Sequence, residues 1–280
     1  MKFKADWLEI LVRCRDNVKT HIRPYLKTLS EPQPDLGRGA GGDPMKLVDL
    51  AAEKAIVEIL QEYGVSFTLI SEESGVKEFG ETPKQCYVTV DPIDGTTNLV
   101  RGLPFYASSI AVSYKPKLSA VFAALVTDLV HNTTYTALEN KGAFRDGEKI
   151  TPSAIASLKE AMIGLDLNTY NIREITPQLT DLIQETRHVR HFGANALELC
   201  YVADGTTDAF IDIRGKLRTT DVAAGFLIVK EAGGTITTPE GHVLDVKLDP
   251  KQKIKFVAAG NPRIHEAILG LIKPKKEKKC

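Results

Sequence analysis

Residues 86–90, Cys-Tyr-Val-Thr-Val, form an apolar run that passes directly into Asp91-Pro92-Ile93-Asp94-Gly95-Thr96-Thr97-Asn98. A short apolar run with β-branched residues predicts a buried strand. Two carboxylates then stand at its carboxyl end, three positions apart, with Pro92 stiffening the turn between them. Gly95-Thr96-Thr97 opens a short helix. Carboxylates gathered at a strand end suit a hard divalent cation, and unpaired N–H groups at a helix start suit an anion. Together they describe a place where a metal meets a phosphate. The Ile93 carbonyl turns into the same place and offers a further oxygen.

The chain has 280 residues, 36 basic and 36 acidic, and is 43% hydrophobic. A balanced charge argues against nucleic acid or a membrane surface as the main partner, and the apolar content suffices for a large core. The N-terminus carries no apolar signal region and no stretch has the length of a membrane span, so a cytoplasmic protein is expected. Cys14, Cys86, Cys200 and Cys280 form no CxxC pair and no zinc pattern; the first three are expected to be buried thiols.

Helical spacing covers residues 3–29, broken only by Pro24, and again residues 45–62. Between them, 31–44 is rich in Gly and Pro and is expected to be a mobile loop. Phe67–Ser71 predicts a strand ending at Glu72-Glu73-Ser74-Gly75. Strands over 105–114, 120–127 and 133–138, with a turn at Arg145-Asp146-Gly147-Glu148, predict a meander. Strands at 161–166, 187–191, 208–213, 234–238 and 255–260 then alternate with helices near 176–186, 194–204, 220–232 and 262–272, a layered α/β pattern.

Other acids stand at element ends. Glu72 and Glu73 follow the 67–71 strand, and one of them reaches Asp91 and Asp94 if the two strands are neighbours; a solvated surface pair is the ordinary alternative. Asp221 opens a helix, where a cap is the alternative, and Asp49 lies in the 45–62 helix, where a solvent-facing acid is the alternative. Carboxylates without His or Cys favour Mg²⁺ or Mn²⁺ over Zn²⁺. His188 and His191 lack metal spacing.

Glu72-Glu73-Ser74, Asp91 to Asn98, Asp221-Val222-Ala223-Ala224-Gly225 and Lys230-Glu231-Ala232-Gly233-Gly234, in that order, resemble the inositol monophosphatase family of metal-dependent phosphatases. Arg190-His191-Phe192-Gly193, Leu199 to Ala203 and Asp212-Ile213-Arg214 with Arg218 are most similar to the archaeal branch that also acts on fructose 1,6-bisphosphate.

The resemblance implies an αβαβα sandwich and a usually dimeric enzyme with two to three Mg²⁺ ions per site. It implies a single phosphatase unit over 1–280, divisible near residue 150 into a metal- and phosphate-binding half and an α/β half (151–272). A Lys-rich tail at 273–280 is expected to be disordered. The substrate would be a small sugar or polyol phosphate, fructose 1,6-bisphosphate or inositol 1-phosphate.

At matching positions, Glu72, Asp91 and the Ile93 carbonyl would hold one metal, and Asp91, Asp94 and Asp221 a second; Glu72 would also support a third. Thr96, bonded to Asp49, would orient the attacking water, and the Gly95 and Thr96 N–H groups would cradle the phosphate. Arg38 stands where many relatives carry a lysine, and Asp212 where animal inositol enzymes have a substrate-touching glutamate. Arg190, Arg214 and Arg218 are candidates for a second phosphate, because a guanidinium fork binds phosphate at two points. Gly193 and Ala194, just before a helix, are expected to line the sugar pocket, with close helix packing as the alternative. An adenosine 3′,5′-bisphosphate phosphatase, and a catalytically silent metal or sugar-phosphate binding protein, are the alternatives.

Overall fold

A computed structural model describes residues 6–27, 34–169 and 171–272; Phe3, Leu29, the Lys-rich tail and Cys280 lie outside them. The chain begins with two helices, α1 (Trp7–Leu26) and α2 (Leu47–Glu62). Asp6 caps α1 by accepting from the Leu8 and Glu9 N–H groups at 3.1 and 3.2 Å. Trp7, Ile10, Leu11, Cys14, Val18 and Ile22 form its buried stripe, the three-and-four spacing of one helix face.

Eight strands follow: β1 (Phe67–Ser71), β2 (Gly75–Phe79), β3 (Tyr87–Asp94), β4 (Ala107–Ser113), β5 (Val121–Asp128), β6 (Thr134–Leu138), β7 (Gly142–Arg145) and β8 (Glu148–Lys149), with the short helix α3 (Thr96–Arg101) after β3. They form one sheet in the order β2-β1-β3-β4-β5-β6-β7-β8, in which β1 and β3 run parallel and the other pairings are antiparallel.

The remaining strands, β9 (Met162–Leu165), β10 (His188–Arg190), β11 (Ala209–Asp212), β12 (Thr235–Thr237) and β13 (Phe256–Ala259), form a second sheet in the order β10-β9-β11-β13-β12. The helices among them are α4 (Ile172–Glu185), α5 (Asn195–Ala203), α6 (Thr219–Ala232) and α7 (Pro262–Leu271).

Three apolar clusters bind the layers. One joins α1 and α2 to β1, β3, β4 and β5. The second joins the inner face of the large sheet to α5, α6 and the inner face of the small sheet, through residues such as Ala111, Ala124, Leu199, Ile228, Phe210 and Phe256. The third packs α4 and α7 on the far side of the small sheet. The order is helix, sheet, helix, sheet, helix, as the resemblance implies. On β4, Ile110 and Val112 face the outer cluster and Ala111 the central one; β3 and β4 are buried on nearly every residue because helices cover both faces. Among the described residues no helix is long and apolar enough to cross a membrane, and Cys14, Cys86 and Cys200 are free and buried.

Four local readings change. β2 escapes the hydrophobic pattern because its middle residues, Val76 to Glu78, are exposed; as an edge strand it pairs only with β1. β3 does not end before the two acids but runs through them. The loop expected to be mobile is, over 37–45, a tight hairpin stitched to the β1–β2 turn: Gly39 N–H donates to Asp43 O at 2.9 Å, Ala40 N–H to Glu73 O at 2.9 Å and Gly41 N–H to Glu72 O at 2.8 Å. α4 also begins earlier than 176, with Pro177 inside it.

Candidate active site

The parallel register Ser71↔Val90 sets the end of β1 beside the middle of β3, so Glu72 and Asp91 are neighbours. In a regular strand Asp91 and Asp94 would point to opposite faces, since side chains alternate. They do not, because β3 carries one extra residue here: Asp91 pairs with Ser109 and Asp94 with Ala107, three positions on β3 against two on β4. This bulge, across Pro92-Ile93, turns both carboxylates to one side. Ile93 is left pointing into the outer core, 3% exposed, with its carbonyl accepting from Thr96 Oγ1 at 2.8 Å.

Helix starts supply the rest. Asp49 and Asp221 each occupy the third position of a helix and reach back to its cap: Lys46 N–H donates to Asp49 at 3.2 Å and Arg218 N–H to Asp221 at 2.8 Å. Asp221 is therefore not the N-cap, which is Arg218; its Oδ2 satisfies the cap N–H, while Oδ1, bonded by Thr220 Oγ1 at 3.1 Å and Arg218 Nε at 3.4 Å, faces the acid group. Asp49 is buried, not solvent-facing, and its second oxygen lies 3.2 Å from Thr96 Oγ1. Asp94 accepts the Asn195 and Ala196 N–H groups at 2.9 and 2.7 Å, which ties the start of α5 to β3. The positive ends of α2, α5 and α6 thus face the acids.

One oxygen each from Glu72, Asp91 and Asp221 lie within 4.8 Å of one another, the one such set among the described residues; Asp94 stands beside it on the wall of a cavity of about 650 Å³. Burial raises the pKa of Glu72 and Asp91, reinforced by Asp221 for the first and by Glu72 and Asp94 for the second. Burial pushes Asp94 and Asp49 up to about 7, and Glu73 to about 8. Acids crowded this way favour a cation among them, and an oxygen-only set suits a hard ion such as Mg²⁺, Mn²⁺ or Ca²⁺. The donor set fits a divalent metal.

Arg218 does not stand apart as a second-phosphate ligand. Its guanidinium enters the acid group, 2.5 Å from Glu72, 2.8 Å from Asp43 and 3.4 Å from Asp221. Asp212 is fully buried and does not line the cavity; it grips Arg214, whose Nε donates to it at 2.9 Å, and Asp166 holds the same guanidinium at 2.5 Å. Arg214, not Asp212, presents to the cavity. Arg190, on edge strand β10, bonds the neighbouring Val189 carbonyl at 3.0 Å, and Arg38 bonds Gly42 O at 2.7 Å within its own hairpin. Neither lines the cavity, and neither does Ala194, which is sealed under the start of α5. Gly193 does line it. Gly95 must be glycine: its φ is +90°, and a Cβ would lie 3.1 Å from both Ala194 Cβ and the Phe105 carbonyl.

The cavity also holds Lys46, Arg101, Lys216 and Lys253, and Asp166 with Asn168. Asp166 follows buried strand β9 as Asp91 follows the start of β3, a signal present in the sequence; Lys46 directly precedes α2. Lys216 and Lys253 sit in irregular segments that carry no such signal.

A five-layer fold with an oxygen-only acid cage beside a glycine-opened helix defines a metal-dependent hydrolase of the sugar-phosphatase type. The chain belongs to the inositol monophosphatase family, whose model matches residues 7–277. A Methanothermobacter thermautotrophicus protein named fructose-1,6-bisphosphatase/inositol-1-monophosphatase is 36% identical over 272 residues, covering 94% of this chain and 95% of that one. An Archaeoglobus fulgidus protein of the same name is 39% identical over 249 residues, covering 88% and 90%. The solved structure of the MJ0109 gene product, an inositol monophosphatase–fructose 1,6-bisphosphatase, is similar with a TM-score of 0.84 at 28% identity, covering 95% of this chain and all of that one.

Proposed function

We propose that this chain is a Mg²⁺-dependent phosphomonoesterase acting on sugar and polyol phosphates, with fructose 1,6-bisphosphate and inositol 1-phosphate as substrates. The observation that carries the reading is the β3 bulge, which sets Asp91 and Asp94 on one side, against Glu72 and Asp221, with the Thr96–Asp49 pair adjacent.

Glu72, Asp91, Asp94, Asp221 and the Ile93 carbonyl would hold the metal. When bound, it would supply Lewis acidity toward the phosphoryl oxygens and ease deprotonation of the attacking water. The residues do the aligning. Thr96 Oγ1 shares its one proton between the Ile93 carbonyl at 2.8 Å and Asp49 Oδ1 at 3.2 Å, and keeps lone pairs that accept from a water and aim it. Asp49, near neutrality in its affinity for a proton, is suited to receive one through Thr96. The N–H groups of Gly95 and Thr96 open α3 toward the cavity wall and would neutralise phosphoryl oxygens. No serine or histidine nucleophile is needed, so no phosphoenzyme is expected.

A second phosphate is assigned to Lys216 and Lys253 rather than to Arg190, Arg214 or Arg218. Lys253 Nζ donates to the Lys216 carbonyl at 2.8 Å and retains two further donors, whereas the Arg214 fork is engaged by Asp212 and Asp166. The test is phosphate release with Mg²⁺ from fructose 1,6-bisphosphate, inositol 1-phosphate and adenosine 3′,5′-bisphosphate. The double variant Lys216→Ala, Lys253→Ala should raise KM for the sugar bisphosphate roughly tenfold or more, the worth of a charge-assisted hydrogen bond, and leave inositol 1-phosphate little changed. Equal effects on both would remove the second-phosphate assignment. Preferred hydrolysis of the nucleotide would replace the sugar reading, and hydrolysis of none would make the chain a binding protein.

A further inference from the structure

We propose that Glu198, which takes no part in the cage, is a positioning residue that clamps the Phe192–Gly193 turn over the phosphate end of the cavity and so governs substrate affinity. This rests on the phosphatase reading for what the turn contacts, but not for the clamp itself.

The turn is held from two sides. From α3, Asn98 Nδ2 donates to the carbonyls of Phe192 and Phe105 at 2.7 and 2.8 Å, and the two phenyl rings stack at 4.8 Å. From α5, Glu198 Oε1 accepts the Gly193 N–H at 3.0 Å. Gly193 is in the left-handed region, lines the cavity, and sets its carbonyl 3.3 Å from where a Cβ on Gly95 would be. Moving this turn therefore moves the roof above the Gly95–Thr96 N–H groups. α5 itself is fastened to β3 through Asp94, so the clamp is referenced to the acid cage.

Glu198 is placed for this task at a cost. It is 3% exposed, and its second oxygen is buried without a hydrogen-bond partner. A fold keeps such a group for a reason. β9 accommodates it only because residue 164 is glycine: a Cβ there would stand 2.8 Å from Glu198 Oε2. Burial, with Asp166 and Asp94 as the nearby negative groups, pushes the carboxyl up to about 8. Glutamine keeps its shape and its acceptor oxygen.

The experiment compares Glu198→Met, Glu198→Asp and Glu198→Gln with the parent chain, by steady-state kinetics on fructose 1,6-bisphosphate and by amide hydrogen exchange over residues 191–196. The methionine fills the volume without an acceptor, and the aspartate retracts the acceptor should the methionine variant fail to fold. The expected result is a KM raised about tenfold with kcat within about threefold, the pattern of lost binding common to ground and transition states, and lost protection over 191–196. Glu198→Gln restores both. Glu198→Gln behaving like Glu198→Met, or either acceptor-disrupting variant that folds keeping both KM and protection, would overturn the proposal. Absence of hydrolysis by the parent chain would sink the phosphatase reading, while the exchange comparison would still decide the clamp.

Discussion

Asp91→Asn is expected to abolish phosphate release and, at the same time, to raise the melting temperature of the metal-free protein. The two effects have one cause. Asp91 is buried among Glu72, Asp94 and Asp221, and its carboxyl is held well above the ordinary range by burial and then by Glu72 and Asp94. A native pKa above the unfolded one means the folded state binds more protons, so stability falls as pH rises above about 4, the unfolded value. Asparagine keeps the shape and removes that penalty, so the metal-free protein should melt higher, by about 2–4 °C for each kcal/mol regained in a chain this size. Removal of a charge that holds the metal should lower the rate by about 10³-fold or more. Phosphate release and calorimetry with and without Mg²⁺ check both. A variant that keeps its rate, or one that melts lower without metal, contradicts the assignment.

Arg218→Ala is expected to act in the opposite direction on stability. Its guanidinium touches Glu72, Asp43 and Asp221 and is itself mostly buried. Removing one member of a buried ionic group costs about 3–5 kcal/mol, because the partners are left uncompensated. Without metal the melting temperature should fall by roughly 10 °C. Saturating Mg²⁺ should raise it by more in the variant than in the parent chain, since a cation then replaces the lost positive charge. An unchanged metal-free melting temperature, or an equal Mg²⁺ increment in both proteins, would show that Arg218 does not balance the cage.

The layers were legible wherever one face of an element meets the core. α2 announces itself by Val48, Ala52, Ala55, Ile56 and Ile59, and β3 by its unbroken apolar start. β2 was not, because an edge strand with exposed middle residues has no alternation to detect. Local spacing placed Asp91 and Asp94 together but not on one side. Pro92 marks an irregularity, yet which pairing slips is a property of β4 as much as of β3. Asp49, Glu72 and Asp221 are brought in from other segments by sheet register and helix starts, which no local pattern encodes; the family resemblance supplied that set. The arginines were the weakest reading. A sequence shows that Arg214 and Arg218 are cations near a site, but not that Asp212, Asp166, Glu72 and Asp43 have already claimed their forks.

The acid cage as the seat of metal-dependent phosphate ester hydrolysis is the central claim. Its most direct test is phosphate release from fructose 1,6-bisphosphate by the parent chain, titrated with Mg²⁺ after removal of divalent cations by a chelator. The account predicts no measurable release in the chelated protein and full, saturable recovery on adding Mg²⁺. Undiminished release in chelator would contradict it.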